Sequence, residues 1–311
     1  MRVLTLLNQD GGTLRTADLD ELTTLLEGEF QVHGHEITVK RCEGARIVEE
    51  IGRAAKSREI DVLMVGGGDG TVSAAAEALY GTEIALAILP AGTMNLFART
   101  LQIPLALPEA IAALATGVIL PVDLATVNGK PYVHQFAVGI HARMVRMRKH
   151  MNYGSRLGKI MATTRAAVTS LKRLPLVELQ IEVDGEARRI RTPALAISNN
   201  MYEDGHIPYA DDPRGGVLGV YICEARRPIA VMKLTLDIVR GRWRENPYIT
   251  VVSAQKVVID YPAGNKEQRA VRDGELDRLD SHSVVEIQAE ALKVVAPHEA
   301  SYVPAELRPA A

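Results

Sequence analysis

The sequence predicts an α/β domain with a mainly parallel sheet, followed by a mostly antiparallel β domain. Three observations predict it. The first third alternates short apolar runs with helical patterns, which is the mark of βα units. From about Val122 onward the punctuation changes to Asn-Gly and Asp-Gly, the dipeptides of two-residue hairpins. The chain has 311 residues, more than a single core of roughly 250 usually supports. Apolar residues make up 47% and charged ones 24%, so an ordinary globular chain with a sizeable core is expected rather than a disordered one.

Along the first part the alternation runs through Val3 to Leu7, Leu19/Leu22/Leu25/Leu26, Ile37 to Val39, Ile47 to Ala55, Val62 to Val65, Val72 to Leu79 and Ala85 to Leu89. The longest apolar stretch, Leu101 to Val122, is interrupted by Pro104, Pro108, Glu109 and Pro121. It reads as a short helix with Pro108 at its start and Gly117 past its end, too broken to span a bilayer. In the second part Asn128-Gly129 and Asp184-Gly185 each join two strand-like runs, and helical segments fall at Arg156 to Leu174 and Pro228 to Val239. Strand-like runs follow at Tyr248 to Val252, Val257 to Tyr261, Val284 to Ile287 and Leu292 to Val295. The expected division is 1–122 for the first domain and 123–296 for the second, with a tail from about 297 to 311 returning to the first.

Charge and cysteine content exclude several classes. Lys plus Arg number 36 against 38 Asp plus Glu, a net charge of -2, which argues against a nucleic-acid partner bound through bulk positive charge. The two cysteines, Cys42 and Cys223, lie far apart and cannot by themselves make a disulfide framework or a multi-cysteine zinc site. His134, His141 and His150 fit no standard zinc spacing. The apolar run before Asn8 is short for a secretory signal, so a cytoplasmic location is expected. One local asymmetry stands out: Leu124 to Val177 holds ten Lys or Arg and no Asp or Glu. The basic residues from Arg143 to Arg173 suit anionic lipid headgroups, at about 1 kcal/mol each; a solvated face neutralised from elsewhere in the fold is the alternative.

Two loops carry the chemistry. Gly66-Gly67-Gly68-Asp69-Gly70-Thr71 follows a buried-strand run and opens a helical pattern, which together make an anion site. Glycines admit phosphate oxygens close to the backbone, and Thr71 can cap the helix or donate to a phosphate. Neither the Walker A nor the Rossmann spacing is present. A carboxylate at Asp69 would repel phosphates unless a divalent cation lies between them or it accepts hydrogen bonds elsewhere, and both readings stand on these six residues. Pro90-Ala91-Gly92-Thr93-Met94-Asn95 again follows a strand-like run and leads into a helix. Both loops are expected at one sheet edge, where a ligand can sit between Gly68 and Thr93.

These loops, together with Asn8, Asp123 and Asp273-Gly274-Glu275, resemble the diacylglycerol kinase catalytic-domain family of lipid kinases, which includes soluble bacterial diacylglycerol kinases and sphingosine and ceramide kinases. The resemblance implies an α/β, NAD kinase-like nucleotide-binding domain and a β-sandwich lipid-substrate domain, with ATP in the cleft between them. It implies transfer of the γ-phosphate of ATP to a hydroxyl of diacylglycerol or a sphingoid-type lipid in phospholipid metabolism. Carried over by position, Asn8, Gly67, Gly68, Asp69, Gly70, Thr71, Gly92, Thr93 and Asn95 resemble the nucleotide site and Asp273 the catalytic general base, with Glu275 supporting the turn or a cation. Asp69 and Asp123 resemble members of a magnesium-linked acidic network. The chain departs from the family at Asn95-Leu96, where Asn-Asp is common, at Asn8-Gln9-Asp10-Gly11-Gly12, and at Gly215-Gly216.

From the residues alone, Asp273-Gly274 also reads as a hairpin turn, since the same Asp-Gly-Glu triplet recurs at Asp184-Gly185-Glu186 between two clear strands. A lipid kinase further needs to reach a membrane, and Trp243 among Arg240, Arg242 and Arg244 reads either as an interfacial anchor or as packing at the end of the Pro228 to Val239 helix. Peripheral contact with an anionic membrane is therefore expected, and a homodimer is compatible with the sequence. The alternatives are a soluble nucleotide kinase resembling NAD kinase, which shares the Gly-Gly-Asp-Gly loop, and a non-catalytic nucleotide- or lipid-binding protein.

Overall fold

The computed structural model describes residues 1–44, 46–149, 174, 176–261 and 269–308. The chain divides into two compact units, the first formed by Met1–Leu124, Tyr209–Gly215 and Gln288–Ala311, the second by Ala125–Pro208 and Gly216–Ile287.

In the first unit, β1 (Arg2–Asn8), β2 (Glu36–Cys42), β3 (Val62–Gly67) and β4 (Ala85–Pro90) form a parallel sheet in the order β2-β1-β3-β4. Every residue of β3 and β4 is buried, as a central parallel strand covered on both faces requires. Edge strand β2 keeps mostly its polar residues outward. The helices are α1 (Leu19–Val32), α2 (Ile47–Ala54), α3 (Asp69–Leu79), α4 (Leu96–Thr100) and α5 (Leu107–Ala115). Asp18 caps α1, its carboxylate accepting from the Asp20 and Glu21 amides, and Pro108 stands in the first turn of α5. The chain leaves β1 toward β2 on one side and leaves β3 toward β4 on the other. That reversal puts a topological switch between β1 and β3, the place where open α/β sheets bind ligands beyond the strand carboxyl ends.

In the second unit the strands are β5 (Val118–Val127, its last three residues here), β6 (Lys130–Tyr132), β7 (Gln135–Gly139), β8 (Val177–Val183), β9 (Glu186–Thr192), β10 (Ala194–Ser198), β11 (Leu218–Cys223), β12 (Ile249–Ala254), β13 (Lys256–Asp260), β14 (Arg269–Arg272), β15 (Glu275–Arg278) and β16 (His282–Ala296). One antiparallel sheet runs β12-β11-β10-β7-β14-β15. A second pairs β9, β8, β13 and the start of β16, again antiparallel. Val177, Leu179 and Ile181 of β8 alternate with exposed polar residues and share a core with Leu195, Ile197, Leu218, Val220 and Ile222 from the other sheet. Two inner faces meeting in one core make the expected β-sandwich. Each of these side chains, fully buried, stabilises the fold by about 1.5–3 kcal/mol before chain entropy is subtracted. Helices α6 (Ile140–Lys149) and α7 (Pro228–Val239) complete the unit.

The expected two-part division differs in detail. β16 has 15 residues, and its second half belongs to the first unit, where Val294 pairs in parallel with Leu86. Residues 209–215 also join the first unit. The tail returns to it as expected: Ala300 and Val303 pack on Leu120 and Ala296, and the Tyr302 hydroxyl donates to the Leu101 carbonyl. The helix expected over 156–174 and the basic residues beyond Lys149 lie outside the described residues, as does the third histidine, His150. No helix among the described residues is long and apolar enough to cross a membrane.

Candidate functional site

Three loops meet at the carboxyl ends of β1, β3 and β4. Gly68 is the N-cap of α3, so the amides of Asp69 and Gly70 in the first turn have no intrahelical acceptor. The loop after β4 comes so near that a Cβ on Gly92 would stand 2.6 Å from the Gly68 Cα. A side chain at position 92 would block that approach. The loop after β1 closes the third side. Gly12, at φ 49°, lies against the Ala91 carbonyl, which accepts from the Thr13 amide at 2.8 Å. Asn8 donates its Nδ2 to the Thr71 hydroxyl at 3.3 Å and accepts the Asp10 amide on its Oδ1. Asp10 in turn accepts the Gly44 amide at 2.7 Å.

Asp69 resolves in favour of the second of its two readings. Its Oδ1 accepts the Leu96 amide at 2.6 Å and its Oδ2 the Asn95 amide at 3.2 Å, so it caps α4 from outside. A carboxylate is well placed at a helix N-terminus, where the backbone presents unpaired donors. Asn95 sits in the left-handed region at φ 52°, and its side chain bridges both backbone groups of Gly92, accepting from the amide at 2.8 Å and donating to the carbonyl at 3.1 Å. Asn95 therefore shapes the loop, whereas Thr93 stands exposed at its tip and Thr71 is buried at the base of α3. Neither threonine side chain caps a helix.

Both carboxylates expected to hold magnesium accept backbone amides. Asp123 is 2% exposed and accepts the Glu290 amide at 3.1 Å, while both oxygens of Asp69 hold amides. Among the described residues no group of three or more His, Cys, Asp or Glu is gathered to hold a metal ion.

In the second unit, Asp273 and Gly274 form the β14–β15 turn with φ 46° and 82°, the conformation that favours Asp-Gly in a two-residue hairpin. The Asp273 carboxylate reaches the strand entry beside it. Its Oδ2 accepts the Val133 amide at 2.9 Å, and its Oδ1 accepts the amides of His134 at 2.9 Å and Gln135 at 3.1 Å. Asp184 repeats the device: φ is 46°, Gly185 follows at 91°, and the carboxylate accepts the Gln255 and Lys256 amides at 3.0 and 2.9 Å. Geometry alone thus treats the two triplets alike. Their surroundings differ. Asp273 lies among buried aromatic groups, with Tyr202 stacked on His134 and hydrogen-bonded to its ring. Burial, followed by the Asp273 charge, pushes the Tyr132 phenol well above its usual range; Tyr202 is raised by burial, by Tyr221 and by Asp273. Asp184 stands in an exposed turn. Glu275 is exposed at the start of β15.

Trp243 is 2% exposed and packs edge-on against Tyr221, with Arg244 over its ring. Of its two readings, packing is the one the fold adopts, because the indole fills the space behind the Tyr221–Tyr202 stack instead of facing solvent. In the sequence Asp10 and Gly12 stand out only as part of a departure from the family pattern, with no role attached. The signal was there, since Asp10-Gly11-Gly12 also follows a strand-like run.

Comparison with known proteins gives the following. Residues 2–127 match the diacylglycerol kinase catalytic domain, and residues 135–296 match the YegS C-terminal NAD kinase beta sandwich-like domain. An uncharacterized protein of Synechocystis is 27% identical over 64% of this chain and 49% of its own length. A protein of Pseudomonas aeruginosa described as "Probable lipid kinase YegS-like" is 37% identical over 44% of this chain and 43% of its own. The chain thus spans about half the length of these two relatives. A diacylglycerol kinase of Mycobacterium tuberculosis is 26% identical over 82% of this chain and 89% of its own. Among solved structures, a diacylglycerol kinase from Bacillus anthracis has the same fold, with a TM-score of 0.70 at 20% identity, covering 95% of this chain and 96% of that one.

Proposed function

The chain belongs to the family that joins a diacylglycerol kinase catalytic domain to a YegS C-terminal NAD kinase beta sandwich-like domain, and from that premise we propose that it is an ATP-dependent lipid kinase. The observation that carries the nucleotide half is the convergence of the three loops at the β1–β3 switch point. Gly68, Asp69 and Gly70 present helix-start amides to the phosphates, Gly92 lets its loop close on Gly68, and Asn8 and Asn95 fix the loops. ATP arrives with magnesium as its counter-ion, so the metal is part of the substrate.

The acceptor is a hydroxyl of diacylglycerol or of a sphingoid-type lipid. As the hydroxyl oxygen bonds to the γ-phosphorus, the bond from phosphorus to the bridging oxygen of ADP breaks and the hydroxyl proton passes to Asp273. Phosphoryl transfer asks more of positioning than of basicity. Three amide bonds to Asp273 supply that positioning, holding the carboxylate in one orientation. The test is transfer of labelled γ-phosphate from MgATP to a panel of diacylglycerol, monoacylglycerol, sphingosine, ceramide and NAD in mixed micelles. Label in one lipid is the expected outcome. Label in NAD would convert the reading to a soluble nucleotide kinase, and bound ATP without any product to a binding protein.

A further inference from the structure

Helix α7 carries apolar residues on two faces. Ala230, Val231 and Leu234 are buried with Ala225, Cys223 and Ile140, which anchors the helix to the sandwich. Away from that face Ile229, Met232, Leu236 and Val239 are 67%, 52%, 47% and 68% exposed. Their spacing of three, four and three places them in one continuous stripe. Single exposed apolar residues are ordinary on a protein surface; four in register along three turns are not.

The charges beside the stripe choose its partner. Lys233 and Arg240 are exposed along one border, and Arg226 and Arg227 are exposed just ahead of the helix. None of these four makes an ion pair with a described residue. The single acid of the helix, Asp237, is half-buried, accepts the Asn246 Nδ2 at 2.6 Å and makes no ion pair with these cations, so positive charge is in excess along the border, four cations to one acid. A second copy of the chain docking through a two-fold contact would set these basic rows against each other. A bilayer with anionic headgroups satisfies both parts, taking the apolar side chains among its acyl chains and the cations at its surface.

We propose that α7 is the element with which the protein docks on an anionic membrane. The inference deepens the lipid-kinase reading and rests on it for its purpose, but binding is measurable without transfer. The test is co-sedimentation of the full chain with vesicles of phosphatidylcholine, with and without phosphatidylglycerol. The wild type is expected to bind anionic vesicles at least ~10-fold more tightly than neutral ones. The triple variant Ile229→Ser, Met232→Ser, Leu236→Ser is expected to lose ~10-fold or more of that binding, and Lys233→Glu with Arg240→Glu most of the preference for anionic lipid. Because all five side chains are exposed, circular dichroism and the urea midpoint are expected to stay at the wild-type values.

Equal binding by the triple variant would overturn the proposal. So would a wild-type dimer in sedimentation velocity that the same variant dissociates, since the stripe would then belong to a second copy. Transfer to a monodisperse short-chain acceptor separates the two readings: the α7 variants are expected to leave it unchanged. If no variant or wild type phosphorylates that acceptor while vesicle binding follows the stripe, the kinase reading fails and the docking surface stands.

Discussion

The two Asp-Gly turns provide an internal control for the catalytic assignment. In Asp273→Asn, the amide oxygen can take the Oδ1 position and keep the His134 and Gln135 amides, but its NH2 then faces the Val133 amide across 2.9 Å. One hydrogen bond becomes a donor against a donor, at a cost of about 1–3 kcal/mol. In Asp184→Asn the oxygen keeps both short bonds, and only the second, longer contact to the Gln255 amide at 3.3 Å is lost in an exposed turn. That costs under about 1 kcal/mol. Urea unfolding measures both. If Asp273 also takes the acceptor proton, Asp273→Asn lowers the transfer rate by ~100-fold or more while ATP affinity stays within a few-fold, because the base acts in the transition state. Asp184→Asn leaves the rate within about two-fold, the scatter of a surface change. Loss of turnover that merely tracks the loss of stability across the two variants would refute the assignment, as would full turnover in Asp273→Asn.

The remaining predictions concern the loops and two titrating features. Gly92→Ala forces a Cβ to 2.6 Å from the Gly68 backbone, so it is expected to cost about 1–3 kcal/mol and to weaken ATP binding in calorimetry; Gly70→Ala, with open space around its Cβ, is expected to gain up to about 1 kcal/mol while still weakening ATP binding. Burial pushes both cysteine thiols up, so Cys42 and Cys223 are expected to react with alkylating reagents far more slowly in the folded chain than in urea. The Asp61 carboxyl is held down to about 2, mainly by hydrogen bonds from Arg2. Its folded value is depressed, so its contribution is present above the ordinary carboxylate value of about 4 and fades as pH falls toward about 2. The pair is exposed, so solvent screening keeps its contribution small. Urea midpoints of wild type and Asp61→Asn are therefore expected to converge on acidification.

What was legible in the sequence was whatever local chain chemistry decides. Glycine after a buried run marks a strand leaving a parallel sheet toward phosphate-sized space, so the loops at Gly68 and Gly92 could be placed at one edge. Asp-Gly between alternating runs gave the hairpins at Asp184 and Asp273 for the same reason. The role of Asp69 was not legible, because its partners are amides 26 and 27 residues away, brought near only when β3 and β4 pair. The same distance hid the bonds from Val133, His134 and Gln135 that distinguish Asp273's surroundings. In α7 the sequence shows apolar residues all round, and periodicity does not say which face the sandwich covers. Trp243 failed as an exposed landmark because neighbouring arginines do not report whether the ring between them points in or out.

For transfer, a γ-phosphate bound at the glycine loops must reach a lipid hydroxyl. The most direct measurement separates the products formed from γ-labelled MgATP in micelles of diacylglycerol and of sphingosine, with wild type and Asp273→Asn run side by side. Labelled phospholipid is expected from one of the two acceptors with wild type and nearly none with the variant. Label found only as free phosphate, or equal lipid labelling by both proteins, would contradict it.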